Sequence, residues 1–516
     1  MPSVAAEKAR TLADEIALAD ERNSLTWSQL ATMLNRAVNA LRAMRLEKDA
    51  RVAILAPNSV EGVVGYLAAL HAGISSVPVN HHFTAAEVAY ILKDSSSEVV
   101  FVGPETAEVG KAAAAAAGTS TVIGWRCPGV SGVIDWQGWL AAAPDAEPPT
   151  DIPPRPHLHY TSGTTGRPKG AETPPTMFPR VETVQLLIDT LRAQVDSLGG
   201  RSPGMVVSPL YHTGPLGAVR QLAGGLGLVI LSRFDAEEVL AAIDRHKVKS
   251  VLMVPTHFQR LLALPAETRA NYDVSSLVVV SHTGAACPPD VKRRMIDWFG
   301  PVLLEAYGAT EAGSTNMITS EEWLQKPGSV GKTLPPFELV VVSDDGQPLG
   351  PNVVGGLYFR DTTGRGIIYH NDAEKTKSVH LSPGVFTLGE VGYFDDDGYV
   401  FITDRTSDMI VSGGVNIYPA EAEQVLLQHP AVADVAAIGV PNPDMGEEVK
   451  ALIVLRQHSS PPSTRELDQF CRERLAGYKC PRSYEFREDI GRNAMGKINK
   501  RELRKSYWPT TRTIGG

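Results

Sequence analysis

Apolar positions in the first third of the chain fall into two kinds of pattern. Short continuous runs rich in Val and Ile, at 51–55, 75–79 and 98–102, predict buried strands. Between them, apolar residues recur at a spacing near one helical turn, predicting helices over 26–41, from Asn58 or Ser59 to His71, and over 85–92. Thr26 followed three residues later by Gln29 is a capping-box signature, and Asn58 or Ser59 can cap the next helix. The alternation resumes with strands at 204–208, 227–231 and 250–254 and a helix at 236–246, and the alanine run at 112–117 extends a helix that carries no chemistry. Strands and helices alternating at this interval imply parallel sheets covered by helices.

From about Gly328 the pattern changes. Strand-like runs at 338–342, 356–359 and 399–402 are separated by Gly, Pro and Asp turns, which predicts antiparallel structure. Beyond Asp404 come a helix at 420–428, strands at 432–439 and 448–455 and a helix at 464–475, a compact α+β unit. The expected fold class is α/β: a large N-terminal body of helix-covered sheets plus a β-rich subdomain over 1–404, then a small α+β domain over 405–516 that carries Lys497.

Composition narrows the function classes. A chain of 516 residues exceeds one hydrophobic core, and a net charge of −9 argues against nucleic acid or anionic membrane as a generic partner. Cys127, Cys287, Cys471 and Cys480 are scattered, as expected of reduced thiols. The N-terminus has no apolar signal core and no apolar run reaches membrane-spanning length, so a cytoplasmic protein is expected. His81-His82 and His157/His159 have no partners at metal-site spacing and read as structural or solvated.

The densest chemistry lies in Tyr160-Thr161-Ser162-Gly163-Thr164-Thr165-Gly166-Arg167-Pro168-Lys169-Gly170. Glycines let successive backbone N–H groups converge on one anion, hydroxyls add donors and the cations add charge, which together suit a nucleotide triphosphate. The spacing is not Gly-x-x-x-x-Gly-Lys-Ser/Thr, and Pro174 and Pro175 oppose a helix starting directly after the lysine. Three further motifs follow in order: Tyr307-Gly308-Ala309-Thr310-Glu311; Gly389-Glu390-Val391-Gly392-Tyr393 with Thr403-Asp404-Arg405; and Gly496-Lys497-Ile498.

This ordered set resembles the adenylate-forming superfamily of acyl-CoA synthetases, luciferases and peptide-synthetase adenylation domains, and covers nearly the whole chain. Pro209-Leu210-Tyr211-His212-Thr213-Gly214 and Ala286-Cys287-Pro288-Pro289-Asp290 look most like bacterial fatty acyl-CoA synthetases. The resemblance implies that a carboxylate attacks the α-phosphate of ATP to give an acyl-adenylate, and that a thiol, coenzyme A, then displaces AMP. It implies β- and γ-phosphate contacts from Thr161, Ser162, Gly163, Thr164, Thr165, Gly166 and Lys169, and places Thr310 at the α-phosphate. Glu311 is implied as the Mg²⁺ ligand, Tyr307 and Gly284-Ala285-Ala286 as the adenine pocket, and Glu390 and Arg405 as the ribose pair. Lys497, on a mobile C-terminal domain, would reach the reacting carboxylate and α-phosphate, and His212 would gate the acyl pocket.

Two positions depart from the pattern. Glu390 stands where aspartate is usual, which predicts a looser ribose contact, and Ser407 stands at a hinge commonly held by Asp or Lys. Ser412-Gly413-Gly414 resembles the loop that passes the pantetheine arm. Walls expected around Tyr211, 219–222, 282–285 and 309–313 contain many small residues, suggesting a roomy pocket for a medium or long chain, a fused ring or another aromatic acid. Two other functions stay open: an adenylating enzyme with a different acceptor or acid, loading a carrier protein or activating nitrite for an aromatic amine, and a degenerate member that only binds.

Overall fold

A computed structural model describes residues 3–161, 168–197, 199, 202–343, 345–405, 408–412, 415–457, 460–475, 477–493 and 496–508. The early pattern becomes two sheets. A five-stranded parallel sheet runs in the order Ser75–Pro78, Arg51–Leu55, Ser97–Val102, Thr121–Gly124 and Ile134–Asp135. A nine-stranded sheet has a parallel centre built from Leu228–Ile230, Gly204–Val206, Ser250–Met253, Val279–His282 and Leu303–Ala309. Helices form where caps and periodicity place them. Trp27–Ala43 starts at a complete capping box, in which the Thr26 hydroxyl accepts from the Gln29 N–H and the Gln29 side chain accepts from the Thr26 N–H. Val60–His71 is capped by Ser59, and Ala85–Asp94 by a second box at Thr84 and Glu87.

Asn58 has a different task from the expected cap. Its amide donates to the carbonyls of Ser208 and Leu231 at 3.0 and 3.1 Å and accepts from the Leu210 N–H at 2.8 Å. One buried side chain thus joins the first sheet's loop to the segment that leads to His212. The core between the sheets is continuous, with Phe101, Trp125 and Trp136 fully buried beside Leu187, Val206 and Leu216. Truncating one such aromatic to alanine would cost about 3–5 kcal/mol.

The change of pattern near Gly328 is also real. Phe337–Val342, Gly355–Asp361, Val385–Phe394 and Val400–Arg405 pair antiparallel. The final unit pairs Val432–Asn442 with Gly446–Leu455 antiparallel and adds Ser483–Arg487 in parallel, with Pro419–Leu426 and Thr464–Arg472 as helices. Leu158–Thr161 and Lys169–Glu172, the strands flanking the glycine-rich segment, pair antiparallel, and helix resumes only at Val184, past the two prolines. Among the described residues no helix is long and apolar enough to cross a membrane.

Candidate active site

The site forms where the parallel strands of the large sheet end, the edge at which open α/β sheets present their ligand-binding loops. Strand register brings its parts together. His282 pairs with Glu305, so Gly284-Ala285-Ala286 leaves the sheet beside Tyr307. Below, fully buried Lys292 donates to Glu305 at 2.5 Å and ties the Pro289–Phe299 helix to the strand that carries Tyr307. Burial pushes the Glu305 carboxyl up, and the Lys292 charge opposes that rise. Gly308 is required on steric grounds, because a Cβ there would collide with the Gly313 carbonyl on the neighbouring strand.

Glu311 is the centre of one cluster. Its Oε1 accepts from the Thr161 hydroxyl at 3.4 Å and from the Tyr369 hydroxyl at 3.2 Å, while Oε2 takes no hydrogen bond among the described residues. A half-buried carboxylate with a spare oxygen fits a magnesium ion, which takes one or two carboxylates and completes its shell with phosphate oxygens and water. Lys169 Nζ pairs with Asp372 Oδ2 at 3.1 Å. Asp372 also caps the Ala373–Ser378 helix, and that backbone hydrogen bond first, the lysine second, holds its carboxyl below the usual range. The expected residues Ser162, Gly163, Thr164, Thr165 and Gly166 lie outside the described residues, as do Ser407, Gly413 and Gly414.

Glu390 is buried, and its Oε2 accepts from the Tyr307 hydroxyl at 2.8 Å. The extra methylene relative to aspartate therefore carries the carboxylate to a partner. Glu390 pairs across the ladder with Arg405, whose side chain lies outside the described residues. Thr310 Oγ1 accepts from Thr213 Oγ1 at 3.2 Å, and Thr213 opens the Thr213–Ala223 helix directly after His212. Burial first, then the nearby Lys497 charge, lowers His212 to about 4. The imidazole is neutral at pH 7.

Lys497 reaches this position on a locked turn. Its N–H donates to Asn493 Oδ1, Arg492 donates to the Gly496 carbonyl, and Arg492 grips Asp434 with two hydrogen bonds of 2.6 and 2.7 Å. Gly496 adopts φ +70° and packs so closely on Thr256 that any side chain would collide with the threonine hydroxyl.

Beside these groups lies a cavity of about 150 Å³ between the Thr213–Ala223 helix and the sheet. Gly214, Gly217, Ala218 and Gln221 form one wall, and Val206, Leu252, Ser250 and Ser281 belong to the opposite one. This corrects the walls expected at 219–222. Gln221 alone of that segment lines the cavity, since Val219 and Leu222 turn into the core at 3% and 2% exposure. Of the two roles expected for His157 and His159, structural or solvated, the structure supports the first: both are buried, with ring centroids 4.6 Å apart.

Sequence reasoning passed over Tyr369, Asp372 and the Arg492–Asp434 pair, and it missed the partners of Thr213 and Asn58. Each acts through a partner remote in the chain, from 58 residues for Arg492–Asp434 to 203 for Lys169–Asp372.

The sequence matches the AMP-binding enzyme family over residues 5–366 and the AMP-binding enzyme C-terminal domain over residues 421–497. It is 35% identical over 496 residues to a feruloyl-CoA synthase of Amycolatopsis sp, covering 94% of each chain. It is 33% identical over 503 residues to the long-chain-fatty-acid–CoA ligase FadD13 of Mycobacterium tuberculosis, again over 94% of each. The structure of the amide bond synthetase McbA from Marinactinospora thermotolerans superposes with a TM-score of 0.81 at 26% identity, covering 98% of this chain and 100% of that one. Catalysts of this kind use ATP and Mg²⁺, with coenzyme A as co-substrate. The chain belongs to the AMP-binding, adenylate-forming enzyme family and is an AMP-forming acid–thiol ligase.

Proposed function

We propose that the protein activates an aromatic acid of about one ring as its acyl-adenylate and transfers the acyl group to coenzyme A. The observation that carries this reading is the cavity beside the Thr213–Ala223 helix. Its volume of about 150 Å³ matches a space known to admit a benzene ring. Mostly apolar walls with Ser250, Ser281 and Gln221 among them suit a ring with a hydrogen-bonding substituent. Feruloyl-CoA synthase, at 35% identity, supports an aromatic acid, whereas FadD13, at 33%, supports a long chain that this volume does not favour.

In this reading Thr161 and Lys169 hold the β- and γ-phosphates together with Ser162 to Gly166. Asp372 keeps the lysine extended until phosphate oxygens replace it. Glu311 would hold a magnesium ion, which would supply positive charge to the phosphates. Tyr307 and Gly284 to Ala286 take the adenine, and Glu390 with Arg405 takes the ribose. A substrate carboxylate oxygen attacks the α-phosphorus, the bond to the bridging oxygen breaks, and Thr310 and Lys497 donate to the oxygens on which negative charge grows. Neutral His212 at the pocket mouth keeps water from the mixed anhydride. The thiol sulfur then attacks the acyl carbon and AMP leaves with the electron pair. We assign residues 1–404 to the nucleotide and acid body and 405–516 to the domain that delivers Lys497.

A second reading changes only the acceptor, to a carrier protein or an amine, and the amide bond synthetase among the structural relatives supports the amine form. Four free cysteines support a cytoplasmic setting. Pyrophosphate release from ATP and Mg²⁺, measured over aromatic and fatty acids with and without coenzyme A, tests the proposal. Thioester formation with one-ring acids supports it. Efficient turnover of long-chain acids only, or product formation with amines but not with coenzyme A, overturns it.

A further inference from the structure

The acid side of the site contains a group of buried polar atoms that no step above uses. Arg220, on the Thr213–Ala223 helix, makes no side-chain hydrogen bond and no ion pair among the described residues, and its Nη1 is buried without a partner. Near it stand His157, just before the Leu158–Thr161 strand, and His159 within that strand. His159 is 2% exposed with neither ring nitrogen hydrogen-bonded, and His157 is 7% exposed with Nε2 unpartnered. Burial first, with the Arg220 charge among the further causes, lowers both histidines, His159 to about 3, so the rings are neutral. Burial alone lowers Arg220, to about 10, and it stays protonated at pH 7. This is a partly buried guanidinium with neutral histidine neighbours and no counter-ion among the described residues, an arrangement that costs stability without a ligand.

Gly217 shows where that ligand would come from. It lines the cavity, and a Cβ built on it would stand 3.6 Å from Arg220 Nη2. The guanidinium thus lies beside Gly217, one of two glycines in this wall, one helical turn along from Thr213, and no side chain at Gly217 separates it from the cavity. His159 connects the group to the mouth, since the His212 ring acts on it as well.

Building on the one-ring acid proposed above, we infer that Arg220, backed by His159 and His157, binds a second acidic group of the substrate, so that the preferred acid is a dicarboxylic one. The first carboxylate meets Thr310 and Lys497, and the second approaches Gly217 and accepts charge-assisted hydrogen bonds from the guanidinium. An anionic oxygen there could also come from the phosphates of ATP or coenzyme A, and the test separates these sources.

Pyrophosphate release and thioester formation are measured for benzoate against phthalate and isophthalate, and for phenylacetate against homophthalate, in the wild type, Arg220→Met and Arg220→Lys. In the wild type kcat/KM should favour the best diacid over its monoacid by roughly 10- to 100-fold, the worth of a hydrogen-bonded charge. Arg220→Met should bring that ratio to about 1, and Arg220→Lys should restore part of it. Thermal unfolding of Arg220→Met at or above the wild-type midpoint shows that the variant is folded, as removal of an unpaired buried charge predicts. A wild type indifferent to the second carboxylate overturns the inference, as does a variant in which both acids fall together. So does a rise in KM for ATP or coenzyme A at an unchanged acid ratio, which assigns the guanidinium to a phosphate. Binding of each acid in the presence of AMP, followed by calorimetry, keeps the two proposals separate. Diacid binding lost in Arg220→Met supports the subsite even where no thioester forms, and only the thioester result then counts against the coenzyme A reading.

Discussion

The nucleotide corner and the acid corner of this site treat their polar groups in opposite ways. At the nucleotide corner the groups satisfy one another across distant segments: Thr161 and Tyr369 on Glu311, Lys169 on Asp372, Tyr307 on Glu390. At the acid corner Arg220, His157 and His159 keep buried nitrogens without hydrogen bonds. Preorganised donors and acceptors suit a ligand whose shape never changes, because they cost no reorganisation when it binds. Unpartnered groups suit discrimination, since a site with unmet polar atoms rejects any acid that fails to meet them. On the function proposed above, the contrast would place affinity for ATP at one corner and choice of acid at the other.

The largest test removes the group common to both. Lys497→Ala should lower acid-dependent pyrophosphate release roughly 10²- to 10³-fold, about 3–4 kcal/mol, as loss of one transition-state donor does elsewhere. An unchanged rate would detach the C-terminal turn from the chemistry altogether. Next, Glu311→Gln should raise the Mg²⁺ concentration needed for half-maximal rate roughly tenfold, about 1.4 kcal/mol, while leaving the ranking of acids intact. A changed acid ranking would erase the division between the corners.

A pH experiment reads the acid corner separately. His159 has a folded value of about 3 against an ordinary 6.5, so the unfolded chain binds the extra proton. Its contribution to stability is therefore complete above about pH 6.5 and lost as pH falls towards 3, roughly 1–2 kcal/mol of it between pH 7 and 5. Denaturant unfolding of His159→Gln should show a correspondingly shallower acid slope. The Asp372 carboxyl, held below its usual range, keeps the Lys169 pair intact over the same interval. The smallest effect expected is for Tyr369→Phe, which removes one hydrogen bond to Glu311 and should raise KM for ATP a few-fold, about 0.5–1.5 kcal/mol. A shift in KM for the acid instead would place Tyr369 on the wrong side of the comparison.

Elements and motifs were legible in the chain because their signals are local. Thr26 and Gln29 announce a helix within four residues, and 204–208, 227–231 and 250–254 announce strands by composition. Pairings between segments were not legible. Nothing near Tyr369 indicates that its hydroxyl ends on Glu311, and Asp372 reads locally as a plain helix cap. Glu390 is a subtler case. Its added length predicts a looser ribose contact, and the fold adds a Tyr307 hydroxyl as its partner, a pairing that no local pattern announces. His157 and His159 were read as structural or solvated; the fold buries both and sets them near Arg220, a neighbour only in space.

Asn58 has a consequence for recombination with relatives. Its single amide spans the first sheet's loop and the strand ends at Ser208, Leu210 and Leu231. A chimera that exchanged the first 150 residues for those of a relative lacking this asparagine would fold each half and still leave three backbone groups at the join without partners. The segment just before His212 would then lose its anchor, so a graft made for stability or expression would be read out as altered choice of acid.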